Sequence, residues 1–173
     1  HGRPGSLVDD QLADPDRLAC SIPDLDLYHP WNLSVDDAVA LGREAEAAAL
    51  AVDRRLTNTE GATVAWNASE FTYANTNGFL GGYRNTRHHI DCSVIGDPGD
   101  GGAMQRDYWY TAARAPADLQ AAAAVGRTAG ERTVRRLNAR KLGTIECPVL
   151  FDAPEAAFDA AFALGLLPDD DAK

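Results

Sequence analysis

The stretch Thr57–Arg114, reading TNTEGATVAWNASEFTYANTNGFLGGYRNTRHHIDCSVIGDPGDGGAMQRDYWYTAAR, constrains the fold more than any other part of the chain. Four runs rich in aromatic and β-branched residues are separated by Gly, Asn and Asp clusters, the pattern of antiparallel strands joined by turns. Phe71 and Tyr73 alternate with Thr72 and Ala74. Ile90, Cys92 and Val94 alternate with His89, Asp91 and Ser93, and Tyr108 and Tyr110 with Asp107, Trp109 and Thr111. A period of two sends successive side chains to opposite faces, so one face is buried and the other is wet or covered by something else. The expectation is a meander of four strands.

Helical periodicity flanks this stretch. Ser34-Val-Asp-Asp37 has the composition of a helix start, a serine cap followed by acidic first-turn residues. Ala38, Leu41, Ala45, Ala48 and Val52 then recur at three- and four-residue spacing, which predicts an amphipathic helix to about Asp53. Pro116-Ala-Asp118 predicts the start of a second helix reaching Leu137 or Asn138, with Leu119, Ala123, Val134 and Leu137 facing inward. Gly126 and Gly130 weaken that helix by about 1 kcal/mol each relative to Ala, and mark a close approach to a neighbour. Pro148–Phe151 reads as a short buried strand and Glu155–Leu164 as a third helix. Ahead of the first helix, Pro23–Pro30 alternates apolar and acidic residues between prolines, an extended segment lying along a surface or edge. Strands followed by helices, without βαβ alternation, predict an α+β fold: an antiparallel four-stranded meander packed with two to three helices.

Composition narrows the function. The net charge of −10 opposes direct nucleic-acid binding. Its basic cluster, Arg132, Arg135, Arg136, Arg140 and Lys141, reads as a solvated helix face near a C-terminal turn. Apolar runs fall far short of the roughly 20 residues that span a bilayer, so no membrane association is expected. Cys20, Cys92 and Cys147 are odd in number and form no CxxC pair, which fits a reducing, cytoplasmic setting. Cys92, between Ile90 and Val94, reads as a buried thiol acting as a small hydrophobe.

Catalytic motifs are scarce. The chain has no HExxH, GxSxG, Walker A or GxGxxG pattern. His88 and His89 are neighbours on a strand and point to opposite faces, so they cannot share a metal from that strand. Asp97–Gly102 lacks the ligand positions of an EF-hand and reads as a hairpin turn. The constellation with chemical content is Gly78–Tyr83 with the residues that follow it and the Met104–Tyr110 run. Tyr83, Arg84, Arg87, Arg106, Asp107, Tyr108, Trp109 and Tyr110 supply stacking surfaces, donors and charge, a set suited to an extended peptide or a partner subunit. The competing reading makes the aromatics core and leaves Arg106 and Asp107 as surface charges.

DLDLYHPW, EAEAAAL, RLTNTEGA, ANTNGFLGGYRNTRH, MQRDYWYT, VGRTAGERTVRRLNARKL and CPVLF, in this order from Pro23 to Phe151, together resemble the TldD/PmbA family. The likeness is to its PmbA (TldE) branch, often called modulator of DNA gyrase. It implies a bacterial or archaeal zinc metallopeptidase system in which TldD-type and PmbA-type subunits form a heterodimer enclosing a proteolytic chamber. It also implies that any link to gyrase runs through processed peptides rather than through DNA. In the TldD branch the helix after the PVLF-like strand carries HExxxH. Here that helix begins Glu155-Ala-Ala-Phe-Asp159 and holds no histidine, so no catalytic residue carries over.

The resemblance covers the central portion of such a protein. Residues 1–21 are expected to be a flexible lead-in, 22–153 the PmbA-like α+β domain, and 154–173 a divergent helix with an acidic tail. The leading expectation is a non-catalytic, PmbA-like subunit fragment that holds no cofactor of its own, zinc being carried by a TldD-type partner, with peptides as substrates. Two rival readings are a stand-alone peptide- or protein-binding module and a zinc metallopeptidase whose ligands lie outside the visible motifs. An unpaired sheet edge also makes a homodimer of the fragment an expectation.

Overall fold

The computed structural model describes residues 17–99, 101–148, 150 and 152. The chain divides into two units, at Ala139 and Arg140. Within the first, α1 (Val35–Leu50) is followed by the strands β1 (Leu56–Ala74), β2 (Leu80–Gly96) and β3 (Gln105–Ala113), a 3-10 turn at Pro116–Asp118, and α2 (Ala122–Arg136). The strands form one antiparallel sheet in the order β1-β2-β3. The described residues of the second unit carry no helix or strand.

The fold class is therefore α+β, but among the described residues the sheet has three strands rather than four. The residues up to Trp66 and the Phe71–Tyr73 run belong to one long strand. The Asn67-Ala-Ser69 interval between them stays in the ladder, opposite Arg87, Thr86 and Asn85. These polar residues do not break the strand because both faces are exposed there, and Ser69 Oγ and Asn85 Oδ1 lie 3.1 Å apart across it. Gly61, at φ +113°, sits at a register shift where the strand bulges. The real turn is Asn75–Phe79. Asn75 Oδ1 accepts from the N–H groups of Asn77 and Phe79, and Gly78 takes the left-handed conformation, φ +87°, that the turn needs.

Two α-helices are present among the described residues, and the expected third, at Glu155–Leu164, lies outside them. So do Val149 and Phe151 of the expected strand Pro148–Phe151, while Pro148 and Leu150 are not in a strand. Ser34 caps α1 as expected: its Oγ accepts from Asp37 N at 3.1 Å while Asp37 reaches back to the Ser34 backbone N–H. The second helix starts later than its sequence suggests. Pro116–Asp118 closes a separate turn, Leu119 is extended, and Gln120 N donates to Thr111 Oγ1 at 3.2 Å before α2 begins.

Both helices lie on one face of the sheet. The core joins Ala45 and Ala49 of α1, Leu56, then Ile90, Cys92 and Val94 of β2, and Ala122, Val125 and Ala129 of α2. Small residues let the two helix backbones come close. A Cβ on Gly126 would collide with the Ala45 carbonyl, and one on Gly130 would lie 2.7 Å from the Ala49 oxygen. The fully buried stripe of α2 is consequently Ala122, Val125, Gly126, Ala129, Gly130 and Thr133, while of the positions that periodicity picks out Leu137 is buried just past the helix end and Leu119 and Val134 pack partly buried against the core. Thr133 is fully buried and donates to the Ala129 carbonyl at 2.9 Å.

The segment before α1 does lie along an edge. Leu27 O accepts from Thr86 N at 3.0 Å and His29 N donates to Thr86 Oγ1 at 2.9 Å, so this segment takes the place beside β2 where β3 has ended. His88 Nε2 lies 2.8 Å from the His29 carbonyl, and its ring meets Trp31 edge-on at 5.4 Å.

Candidate functional site

Among the described residues, helices cover one face of the sheet and none covers the other. The register assigns side chains to faces. Thr86, His88, Ile90, Cys92 and Val94 are buried towards the helices, so the odd-numbered residues of β2 point the opposite way. Across from them on β1 stand Thr63, Ala65, Asn67, Ser69 and Phe71, and on β3 stand Arg106, Tyr108, Tyr110 and Ala112.

Five of the eight candidate residues meet on that open face: Tyr83, Arg87, Arg106, Tyr108 and Tyr110. Tyr83 and Tyr108 are each about half exposed, at 50% and 53%, and Tyr110 is 39% exposed, so these rings are not core. Tyr108 and Tyr110 stack at 6.4 Å, and Tyr110 lies 6.0 Å from the His89 ring. Towards the hairpin tip, Tyr83 packs on Phe71 at 5.5 Å and Tyr73 on Phe79 at 5.8 Å. Arg106 pairs with Glu60 at 2.8 Å, and Ser93 Oγ also donates to Glu60. The hydrogen bond from Arg106 holds the Glu60 carboxyl below its ordinary range.

Arg84, Asp107 and Trp109 go to the other side. The Arg84 guanidinium sits 3.7 Å above the Tyr28 ring, at a groove of about 890 Å³ that Ile22, Leu25 and Glu70 also line. Asp107 is not a surface charge. It is 8% exposed beneath α2, where Arg132 Nε and Arg136 approach its two oxygens at 3.5 and 3.6 Å, and its Oδ1 accepts from Tyr108 N at 2.8 Å. Two arginines of the basic cluster are therefore structural partners rather than a purely solvated face. Trp109 is partly buried on the same side, with Arg132 5.2 Å over its ring and its Nε1–H on Gln120 Oε1.

Sequence reasoning missed Phe71, His89 and Asp91 as members of the open face. Their strand parity is legible in the sequence; the cross-strand register that brings His89 beside Tyr110 is not. His89 Nδ1 lies 3.5 Å from Asp91 Oδ2. Among the described residues, no three His, Cys, Asp or Glu side chains converge as a metal site requires. The His88 ring is turned to the other face and engaged with the His29 carbonyl. Zinc thus finds no fitting donor set in the described part of this chain. Among the same residues no helix is long and apolar enough to cross a membrane.

Residues 28–137, more than half of the chain, match the family profile of the PmbA/TldA metallopeptidase central domain. The chain is 44% identical over 140 residues to Metalloprotease PmbA of Escherichia coli O157:H7, a match covering 81% of this chain and 31% of that protein. It is 41% identical over 140 residues to the Metalloprotease PmbA homolog of Haemophilus influenzae, with the same coverage. The chain thus spans about a third of the length of these relatives. A crystal structure from Bacteroides thetaiotaomicron, of a protein provisionally named a modulator of DNA gyrase, superposes with a TM-score of 0.67 at 28% identity. That superposition covers 76% of this chain and 30% of the other.

Proposed function

Because this chain belongs to the PmbA/TldD metallopeptidase family, corresponding to its central domain, we propose that it is a non-catalytic subunit module of a cytoplasmic zinc metallopeptidase assembly. In this reading a TldD-type partner supplies the zinc and performs the proteolysis of peptide substrates. The module supplies a docking surface. The observation that carries the reading is the open sheet face, where Tyr83, Tyr108 and Tyr110 stand exposed with Arg87 and Arg106 among them. Tyrosine and arginine are the residue types enriched where partners bury surface, because each combines a large stacking area with a hydrogen-bonding end. A sheet face of this kind is pre-formed, so docking immobilises few groups that are not already held.

Co-purification tests the reading. The full chain is expected to co-elute with a TldD-type subunit, and the double variant Tyr108→Ala, Tyr110→Ala to lose that association while keeping its circular dichroism. A wild-type chain that remains separate from the subunit, yet binds unfolded peptides saturably, would replace the subunit reading with that of a stand-alone peptide-binding module.

A further inference from the structure

The chain ahead of α1 meets β2 at two places. Leu27 and His29 hold it against Thr86. Further back, the Ile22 Cδ1 fills the space that a side chain on Gly81 would need. Ile22–Leu27 thus runs as a strap alongside Gly81–Thr86, pinned at both ends. Between the pins, among the described residues, no backbone hydrogen bond joins the strap to β2. Asp26 takes the left-handed conformation there, φ +50°, which bends the strap out of the extended path of a strand. Asp24 Oδ1 accepts from the Asp26 N–H at 2.9 Å, and the His29 ring lies 2.8 Å from the Asp26 carbonyl, so the bend is held from both sides. The groove of about 890 Å³ opens between the bent strap and the Gly82–Asn85 part of β2.

Its walls carry both main-chain and charged groups. Thr86 aims its N–H at the strap, and strand parity sends the N–H and C=O of Gly82 and Arg84 the same way, into the groove. At the Thr86 end the groove is closed. Thr86 Oγ1 donates to the Arg114 carbonyl at 2.9 Å, so the strap, β2 and the residue that follows β3 meet there. Arg84 and Arg114 both line the groove. The Arg84 guanidinium is held 3.7 Å above the Tyr28 ring, a contact that leaves its N–H donors free. Among the described residues neither arginine has a carboxylate partner. Of the carboxylates in the lining, Asp24 and Asp26 are engaged within the strap, by the Asp26 N–H and by His29. Glu70 stands opposite Arg84 in the ladder without pairing to it.

We infer that this groove receives the C-terminal end of an extended, otherwise uncharged peptide, whose main chain pairs with Gly82 and Arg84 and whose terminal carboxylate is held by Arg84 and Arg114. A strand edge that runs into a closed end takes a chain terminus rather than a segment that continues. A guanidinium already fixed on an aromatic ring offers a carboxylate two parallel N–H groups, so little freedom is lost on binding. The charges that select the ligand are local: two unpaired arginines against the single free carboxylate of Glu70. The site uses neither Tyr108 nor Tyr110, so it stands whether or not the open face docks a subunit.

The test uses the full chain and a short peptide of serine and glycine ending in leucine, labelled at its N-terminus and made both with a free C-terminal carboxylate and as the C-terminal amide. Anisotropy should show saturable binding of the acid, at least about tenfold tighter than of the amide, and the backbone amides of Gly82 and Arg84 should shift in NMR spectra. Arg84→Gln should bring the acid down to the affinity of the amide. Glu70→Gln, which leaves the Tyr28–Arg84 contact in place, should tighten binding of the acid by removing the competing carboxylate. Arg127→Gln, an equal change of charge at an exposed position of α2, should leave binding unchanged. The inference is overturned if the acid does not bind saturably, if acid and amide bind equally, or if Arg84→Gln and Glu70→Gln both leave the affinity as it was. Association with a TldD-type subunit is read separately by co-elution, so failure here is distinguishable from failure of the docking role.

Discussion

Two glycine-to-alanine substitutions, one in each helix, are expected to act with opposite signs. In a helix interior, alanine is favoured over glycine by about 1 kcal/mol, because glycine loses more backbone freedom on folding. At Gly42 of α1 the added methyl would sit 3.9 Å from the Ala62 Cβ, an ordinary contact. Gly42→Ala should therefore stabilise the fold by about 0.5–1 kcal/mol. At Gly126 of α2 the same methyl meets the backbone of Ala45: the carbonyl oxygen at collision distance, the carbonyl carbon at 2.6 Å and the Cα at 3.0 Å. Neither wall is a flexible side chain, so the helices must separate. Overpacking of this kind costs typically 1–3 kcal/mol. Taking the upper end, because backbone opposes backbone, and subtracting the propensity gain leaves a net loss of about 2 kcal/mol. Urea unfolding of both variants checks this, read as a shift in midpoint at unchanged slope. A Gly126→Ala variant as stable as Gly42→Ala would refute the claim that the interhelical contact is closed at Ala45.

Other outcomes follow from the buried polar groups. Asp107→Ala should cost about 2 kcal/mol in chemical denaturation, below the 3–5 kcal/mol of a fully buried broken pair, because Arg132 and Arg136 retain partial access to water. Burial pushes the Cys92 thiol up to about 11, with the Glu46 and Asp91 charges adding to the shift. A folded-state value above the unfolded one means that this contribution is complete below the unfolded thiol's pKa of about 8.5–9 and is lost as pH rises towards 11. Stability curves should fall across that window in the wild type and fall less in Cys92→Ala. In native protein, thiol labelling should modify the exposed Cys20 and Cys147 quickly and Cys92 only on unfolding. Ser34→Ala removes the reciprocal cap of α1 and should lower stability by about 1 kcal/mol in the same denaturation assay.

Local chemistry made much of this fold legible. Ser34 and the acidic first turn announce α1, and strand parity correctly sends His88 and His89 to opposite faces, the first buried and the second about a third exposed. It also places Cys92 in the core. Period-two patterning says which residues share a face without saying which face the helices cover. That is why the residues alone could not decide whether Tyr108 and Tyr110 were core or open. Asn67 and Ser69 resemble a turn because turns favour their side chains, but in a strand arm wet on both sides those side chains meet no penalty. Asp107 was misleading for another reason. Its partners Arg132 and Arg136 lie some 25 positions away, and only helix docking makes a buried carboxylate tenable there.

The most direct test of the docking role is hydroxyl-radical footprinting of the chain, alone and mixed with a TldD-type subunit. The account predicts that Tyr83, Tyr108 and Tyr110 become protected together, while Tyr28 on the helix side keeps its reactivity. Equal labelling of the three tyrosines with and without the subunit, under conditions where the two proteins co-elute, would contradict it.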